Sequence, residues 1–413
     1  MKTNDRFKQT EIGMIPEDWE VKELGECFKV NTGEGVPPSK RLLKGKYPLM
    51  GGNGIIGYTD DFLVDGEYIL TGRVGTIGEV NFKRGKLWIS DNAMYVGSNN
   101  GNNLKFIYYF LKKFDFTFLN VGSTQPLIKQ SDLKKLKIPS PKNAEQSAIA
   151  KILSGLDSKI ELNQNMNKIL EAIGQAIFKH WFIDFEFTNE EGKPYKSSGG
   201  EMVDSELGEI PKGWKVGKLQ YYCNEITRGF TTTYVEKSNL INLNQKANRG
   251  ECLDKSNYKY YPEEADIPKS KFAKKGDILI NSLGQGTLGR VHLFWEDTNN
   301  VVVDQHITII RTKKEIIPEF LYLYLIYPPN KKRLENQITG STGMLMLNIS
   351  KIRDFEVLVP SANIMQKFSS LTHSIYSSKT RNIKENENLS QIRDSLLPKL
   401  MSGKIRVPVE VRT

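Results

Sequence analysis

Glycines 284, 286 and 289 stand in the G-x-G-x-x-G spacing that cradles a dinucleotide pyrophosphate, as GQGTLG. That chemistry requires a helix directly after the glycines, so that the phosphates meet its N-terminal N–H groups. Here Arg290-Val291-His292-Leu293-Phe294-Trp295 follows and alternates like a strand. The string is therefore read as a hairpin turn, as is GRVGTIG at 72–78. No G-x-x-x-x-G-K-[ST] loop is present to hydrolyse ATP. His180, His292, His306 and His373 lack metal-ligand spacing, so no metal site is expected. His306 beside Asp304 invites a catalytic reading, but no nucleophile accompanies them at a strained elbow, and a hydrogen-bonded structural histidine is expected. An adenine methyltransferase would need an Asn/Asp-Pro-Pro-aromatic loop, and Tyr327-Pro328-Pro329-Asn330 has the wrong order. The sequence assembles no catalytic site.

What it does contain is a repeat. TEIGMIPEDWEVKEL (10–24) and SELGEIPKGWKVGKL (205–219) share Gly13, Ile15, Pro16, Trp19, Val21 and Leu24 with Gly208, Ile210, Pro211, Trp214, Val216 and Leu219 at an offset of 195. The register continues with a drifting offset. Gly78 and Gly289 are 211 apart, and Ser90-Asp91-Asn92-Ala93 aligns with Val303-Asp304-Gln305-His306 at 213. Gly122-Ser123-Thr124 aligns with Gly340-Ser341-Thr342 at 218, and Leu136 to Ser140 with Val357 to Ser361 at 221. Framework repeats while loops differ in length.

Each copy reads as strands first and a long helix after. Tyr68-Ile69-Leu70, Glu79 to Phe82 and Leu87-Trp88-Ile89 alternate as strands, matched by Ile278-Leu279-Ile280, Val291 to Phe294 and Val301-Val302-Val303. A short aromatic helix follows (Phe106 to Leu111; Phe320 to Ile326), then a strand ending in Pro-Ser. Beyond it, Ile149, Leu153, Leu156, Ile160, Leu170, Ile173 and Ile177 recur at coiled-coil spacing. Phe368, Leu371, Ile375, Leu389, Ile392, Leu396 and Leu400 do the same in the second copy. Asn163 and Asn167 interrupt the first seam, and Asn382 and Asn386 the second. Buried, they would fix register at a cost in stability; the alternative is a solvated turn between shorter helices.

Composition agrees with a DNA partner. Residues 20–140 carry a net charge of +5 and residues 215–360 again +5, while 141–214 carry −4 and 361–413 carry +5. At 413 residues, two or three domains are expected. The longest apolar run, Phe320 to Tyr327, is far short of a membrane span, and MKTNDRFKQT lacks a secretory apolar stretch. Cys27, Cys223 and Cys252 have neither disulfide nor zinc spacing, so a reducing cytoplasm is expected.

The paired T/S-E-x-G-x-I-P-x-x-W openings, the G-T-x-G strands, the Pro-Ser exits into long helices and HWFIDFEF (180–187) together resemble the specificity subunit of type I restriction–modification systems. The resemblance runs from about Thr10 to Ile405. It implies an α+β fold: two β-rich target recognition domains separated by two long antiparallel coiled-coil helices, as a pseudo-twofold tandem repeat. The expected divisions are 1–143 and 205–363 for the recognition domains, 144–187 and 364–405 for the spacer helices, and 188–204, Gly/Ser-rich, for a linker. The resemblance also implies a non-catalytic chain that binds double-stranded DNA, two methyltransferase subunits and two motor-nuclease subunits. S-adenosylmethionine, ATP and magnesium would belong to those partners. A helix of about 40 residues spans roughly 60 Å, against about 34 Å for one DNA turn. The expected target is thus two different short blocks around an unread spacer. A related type II system's recognition subunit and a coiled-coil protein adaptor are the competing readings.

Recognition loops vary within such a family, so DNA-reading residues are chosen by chemistry near the glycine turns. They are Lys40, Arg41, Arg73, Gln125 and Lys129 in the first domain. In the second they are Arg228, Thr231, Thr233, Asn281, Ser282, Gln285, Asn348 and Lys351. Arg228-Gly229 aligns with Thr32-Gly33 at an offset of 196.

Overall fold

A computed structural model describes residues 6–75, 77–98, 101–122, 124–340 and 345–408. Ser123, Ser341 and Thr342 of the aligned Gly-Ser-Thr strings lie outside the described residues. The chain forms two compact units, Met1–Leu162 with Glu385–Thr413, and Asn163–Lys384. The division cuts both long helices, so each unit holds one recognition domain and half of each helix.

In the first unit, β1 (Phe7–Thr10) and β2 (Gly13–Pro16) form a hairpin, followed by β3 (Glu20–Glu23), α1 (Leu24–Cys27) and β4 (Phe28–Thr32). Next come β5 (Tyr47–Gly51), β6 (Gly54–Thr59), β7 (Val64–Gly72), β8 (Val80–Ile89) and β9 (Ala93–Ser98). Then follow α2 (Leu104–Lys113), α3 (Gln130–Lys134), β10 (Lys137–Ser140) and α4 (Asn143–Phe182). Six strands make one sheet in the order β4-β9-β7-β8-β5-β6, antiparallel except where β5 meets β8. Neighbouring Ile69 and Leu70 on β7 point to opposite faces, and both are buried, in separate clusters. The sheet is therefore covered on both sides. Two predicted strands within 79–89 are one ten-residue strand, β8, with Gly85 at φ +101° paired to Gly66 at φ +145°.

The second unit carries β11 (Met202–Val203), β12 (Ile210–Pro211), β13 (Lys215–Lys218), β14 (Cys223–Arg228), β15 (Leu240–Leu243) and β16 (Lys259–Tyr261). It continues with β17 (Ile278–Asn281), β18 (Val291–Leu293), β19 (Val301–Val303) and β20 (Ile307–Thr312). Its last elements are α5 (Pro318–Ile326), α6 (Pro328–Glu335), β21 (Ile338–Thr339), β22 (Met346–Leu347), α7 (Ile349–Arg353), β23 (Glu356–Val359) and α8 (Ala362–Met401). An antiparallel sheet β14-β20-β17-β18 lies beside a three-stranded sheet β16-β15-β19. The parallel β15–β19 pair repeats the β5–β8 pair, with Asp304 N–H to Leu243 O echoing Ser90 N–H to Met50 O. The predicted 188–204 linker is packed structure: Tyr195 stacks on Phe187 at 4.6 Å, and its hydroxyl donates to Glu201 O.

Sheet register corrects two of the repeat offsets. β10 pairs with β3 as β23 pairs with β13, setting Lys137 equivalent to Glu356 at 219, not 221. Both α3/α7 and α4/α8 begin 219 apart as well. Ile307 N–H closes a turn onto Asp304 O as Ala93 N–H does onto Ser90 O, an offset of 214 rather than 213. Asp304 is thus the counterpart of Ser90, and His306 that of Asn92.

Both long helices are continuous for 40 residues, which removes the alternative of a solvated turn at the asparagines. Within each unit their segments run antiparallel. In the first, Arg393 pairs with Asp157, which also accepts from Tyr109 Oη at 2.7 Å, and Leu153 and Leu400 are buried. In the second, Asn382 Nδ2 donates to Asn167 Oδ1 at 2.9 Å, Asn167 Nδ2 donates to Lys379 O, and Glu171 pairs with Lys379. Asn163 and Asn382 are buried, as is Ile375. Leu156, Ile160, Asn167, Leu170, Ile177, Asn386, Leu389 and Leu396 are half-buried. Three predicted seam residues are corrected: Ile173, Leu371 and Ile392 are 43–47% exposed and face away from the seam. Thr372 and Tyr376 are buried instead, one position along from the predicted row. Replacing Asn382 with Ala is expected to cost about 1–3 kcal/mol by orphaning Asn167, read as faster amide exchange in residues 163–182.

Candidate DNA interface

In each recognition domain a glycine-rich turn joins two antiparallel strands, 73–79 between β7 and β8 and 282–290 between β17 and β18. Gly75 and Gly286 adopt φ +77° and +75°, and Gly78 and Gly289 +88° and +77°, conformations that favour glycine. A second loop pairs onto each turn. Ile128 N–H donates to Arg73 O, and Val74 bridges Leu127. Leu347 N–H donates to Ser282 O, and Leu283 bridges Met346. A third segment closes the group: Arg73 N–H donates to Asn92 O, and Ser282 N–H to His306 O. The three backbone segments therefore meet in the same way twice.

Close approach at one more glycine fixes the frame. A Cβ on Gly33 would stand 2.3 Å from the carbonyl oxygens of Ile89 and Ser90. On Gly229 it would stand 2.1 and 2.3 Å from those of Val303 and Asp304. Only glycine lets the end of β4 or β14 cross these turns.

On that frame the chosen residues separate. Lys40 is exposed and pairs with Asp61 at 3.0 Å, and Arg41 is exposed with Nε donating to Val36 O. Gln125 and Lys129 are exposed, and the Gln125 amide lies beside Gly75. Arg73 is half-buried, and its Nε has no hydrogen-bond partner among the described residues. In the second unit Thr231, Thr233, Gln285 and Lys351 are exposed. Half-buried Asn348 donates to Thr339 Oγ1 at 3.1 Å. Arg228 Nη2 donates to Leu347 O at 2.7 Å, while its buried Nη1 has no partner among the described residues. Burial holds this guanidinium below its usual pKa.

Asn281 and Ser282 are corrections. Both are fully buried: Asn281 donates to Gln245 O and accepts from Asn248, and the Ser282 hydroxyl bonds Thr308 at 2.7 Å. They are the floor of the turn. Asn281 ends β17 and Ser282 opens the turn, both enclosed, which puts them out of a ligand's reach.

Two further titratable side chains belong to the framework. His292 Nδ1 lies 2.7 Å from Gly250 O, and burial pushes its pKa down to about 4. Burial pushes the Cys223 thiol up to about 12. Among the described residues no three His, Cys, Asp or Glu side chains gather to hold a metal ion, and no helix is long and apolar enough to cross a membrane.

The type I restriction modification DNA specificity domain matches residues 16–172 and again 195–389. The chain belongs to that family. It is 28% identical to the MjaIX type I restriction enzyme specificity subunit of Methanocaldococcus jannaschii, across 97% of this chain and 96% of that one. It is 27% identical to the HindI specificity subunit of Haemophilus influenzae, across 69% and 72%. The fold is that of the type I restriction–modification S subunit from M. genitalium, at a TM-score of 0.63 and 20% identity over 97% and 99% of the two chains. As a specificity subunit, the chain's part is recognition rather than catalysis. The buried histidine, the raised thiol and the glycine turns all take their place in that role as framework.

Proposed function

We propose that this specificity subunit reads an asymmetric, bipartite site in double-stranded DNA, one block per recognition domain. The observation that carries this is an identical backbone frame bearing different side chains. Thr32 stands where the second copy has Arg228, Lys129 where it has Asn348, and Asn92 where it has His306. Even framework bonds are made by different residues: Gln130 Nε2 donates to Val30 O, and Arg353 Nη2 to the equivalent Ile226 O. Two such surfaces select two different sequences, because base edges are discriminated by donor and acceptor pattern.

Catalysis belongs to partner subunits in this reading. Two methyltransferase subunits supply adenine methylation with S-adenosylmethionine, and two motor-nuclease subunits use ATP and magnesium. An exposed apolar row on α4, Met166, Ile169 and Ile173, supports helix-side docking of a methyltransferase subunit, since it lies outside the buried seam.

Binding of the full chain, with its methyltransferase subunit, to randomised duplexes tests the reading. Affinity is expected to fall steeply with salt. Arg73→Ala and Arg228→Ala are each expected to relax base preference in one block only. Uniform weakening across all sequences would show phosphate contacts instead, and salt-independent or absent binding would exclude DNA as the ligand.

A further inference from the structure

We propose that His306 is a base-contacting specificity residue of the second recognition domain, with its ring positioned by the buried carboxylate of Asp304. This rests on the DNA-reading function above and names one residue of that surface.

Asp304 is 1% exposed and occupies the turn between β19 and β20. One carboxylate oxygen accepts from the His306 backbone N–H at 2.9 Å and lies against His306 Nδ1. The other accepts from Tyr234 Oη and Asn242 Nδ2, both at 3.3 Å. Asn242 in turn donates to Tyr261 Oη at 2.7 Å, and Tyr261 donates to Phe230 O. A carboxylate only accepts, so Nδ1 is a ring nitrogen that carries a proton and donates it to Asp304. In the tautomer protonated at Nδ1, Nε2 carries a lone pair. With the side chain 36% exposed, that lone pair is free to accept from a ligand.

The imidazole is not needed to build the turn. The first domain makes the same turn, with Ala93 N–H to Ser90 O at 3.0 Å matching Ile307 N–H to Asp304 O at 2.9 Å. There the counterparts are Ser90 and an exposed Asn92, with no imidazole or carboxylate in those two places. A buried Asp with four donors, present in one copy only, therefore ties the ring to a network that the first domain's turn does without. Position matters equally. The His306 carbonyl accepts from both Ser282 and Leu283 at the start of the glycine turn. Ser282 O accepts from Leu347, whose own carbonyl holds Arg228. His306 thus stands on the same three-segment junction as the half-buried arginine.

A fixed acceptor at that point suits an exocyclic base amine, N6 of adenine or N4 of cytosine, both donors in the major groove. Asn92 in the first domain offers an amide instead, suited to a different edge pattern.

The test uses the full chain expressed with its methyltransferase subunit, reading the methylated motif genome-wide. His306→Ala is expected to cut discrimination at one base pair of one block by about 10- to 100-fold, leaving every other position unchanged. Asp304→Asn, which frees the ring, is expected to blur the same base pair. His306→Asn introduces the residue that stands at this place in the first domain's turn and serves if the alanine variant is unfolded; it is expected to change the preferred base there. An unchanged motif in the folded variants overturns the proposal, and so does equal loss at all positions. If the wild-type complex methylates no defined motif, the DNA-reading function itself fails and takes this inference with it.

Discussion

Replacing Arg311 with Met is expected to destabilise the second unit by about 3–5 kcal/mol, because it strands a buried carboxylate. Arg311 on β20 is 13% exposed and clamps Asp277, itself 2% exposed, through Nε and Nη2, each at 2.9 Å. The same guanidinium donates to Phe272 O and pairs with Glu225. Burial pushes the Asp277 carboxyl above its ordinary value, and the Arg311 hydrogen bond and charge pull the other way. Without Arg311 only burial remains dominant, so the carboxyl rises further. An acid whose folded pKa lies above its unfolded value favours folding below the unfolded value, near 3.8, and loses that contribution as pH climbs through the folded value. The variant's deficit should therefore be small in acid and complete at neutral pH. Amide exchange in β17 and β20 of the full chain, compared at pH ~3 and ~8 across the two proteins, checks this. Adding Asp277→Asn to the variant removes the stranded charge and should recover most of the loss. A deficit that is equal at both pH values and unrelieved by the second change would place the cost in packing rather than charge.

Much of this architecture is legible in the sequence because repetition exposes it. Pro16 and Trp19 recur as Pro211 and Trp214, and both pairs close the same Trp N–H to Pro O turn at 3.0 Å. Long apolar periodicity marks both helices, and continuous hydrogen bonding carries them through the asparagines. What escaped reading is local and has physical causes. The five-residue helices α3 and α7 are too short to show a 3.6 period, yet they present Lys129 and Asn348 at their N-caps. Sliding the Pro-Ser strings into alignment cost two residues of register, because sheet pairing, not the proline, fixes the equivalence. Ile173 and Leu371 looked like seam residues because a helix carries several rows of apolar side chains. Periodicity alone cannot tell the row facing a partner helix from one left open.

The candidate interface was legible in place but not in person. Glycines announced where three backbone segments converge, since φ near +77° and a Cβ clash at 2.1 Å exclude other residues. Which side chains point outward was decided by burial. Asn281 and Ser282 have the chemistry of base readers and are spent on holding the turn. His306 reads in the sequence as a hydrogen-bonded histidine; it is one, and that bond is what leaves its other nitrogen oriented. A single polar contact therefore argues equally for structure and for function until its exposed face is known.

Phe182→Ala is expected to cost the second unit about 3–5 kcal/mol as well, through packing instead of charge. Phe182, the last residue of α4, is 1% exposed and sits between Phe320 at 4.7 Å and Phe368 at 4.8 Å, both edge to face. Trp214 lies 5.7 Å away and stacks on Phe187 at 5.0 Å. One ring thus ties α4 to α5, to α8 and to the repeated Pro-x-x-Trp turn. Truncation leaves a cavity that these three aromatic neighbours, each held by its own contacts, cannot collapse to fill. Phe182→Leu keeps most of the volume and should recover more than half the loss. Limited proteolysis of the full chain should then release cuts within 205–360, while residues of the first unit, whose corresponding Trp19 donates to Glu145 at 3.0 Å instead of packing on a ring, stay protected. Because Arg228 ends β14 and His306 directly precedes β20, both strands of this same core, the base preference lost should be that of the second domain's block alone. Simultaneous cleavage of both units would show that they unfold as one body, and would remove the physical basis for reading two blocks independently.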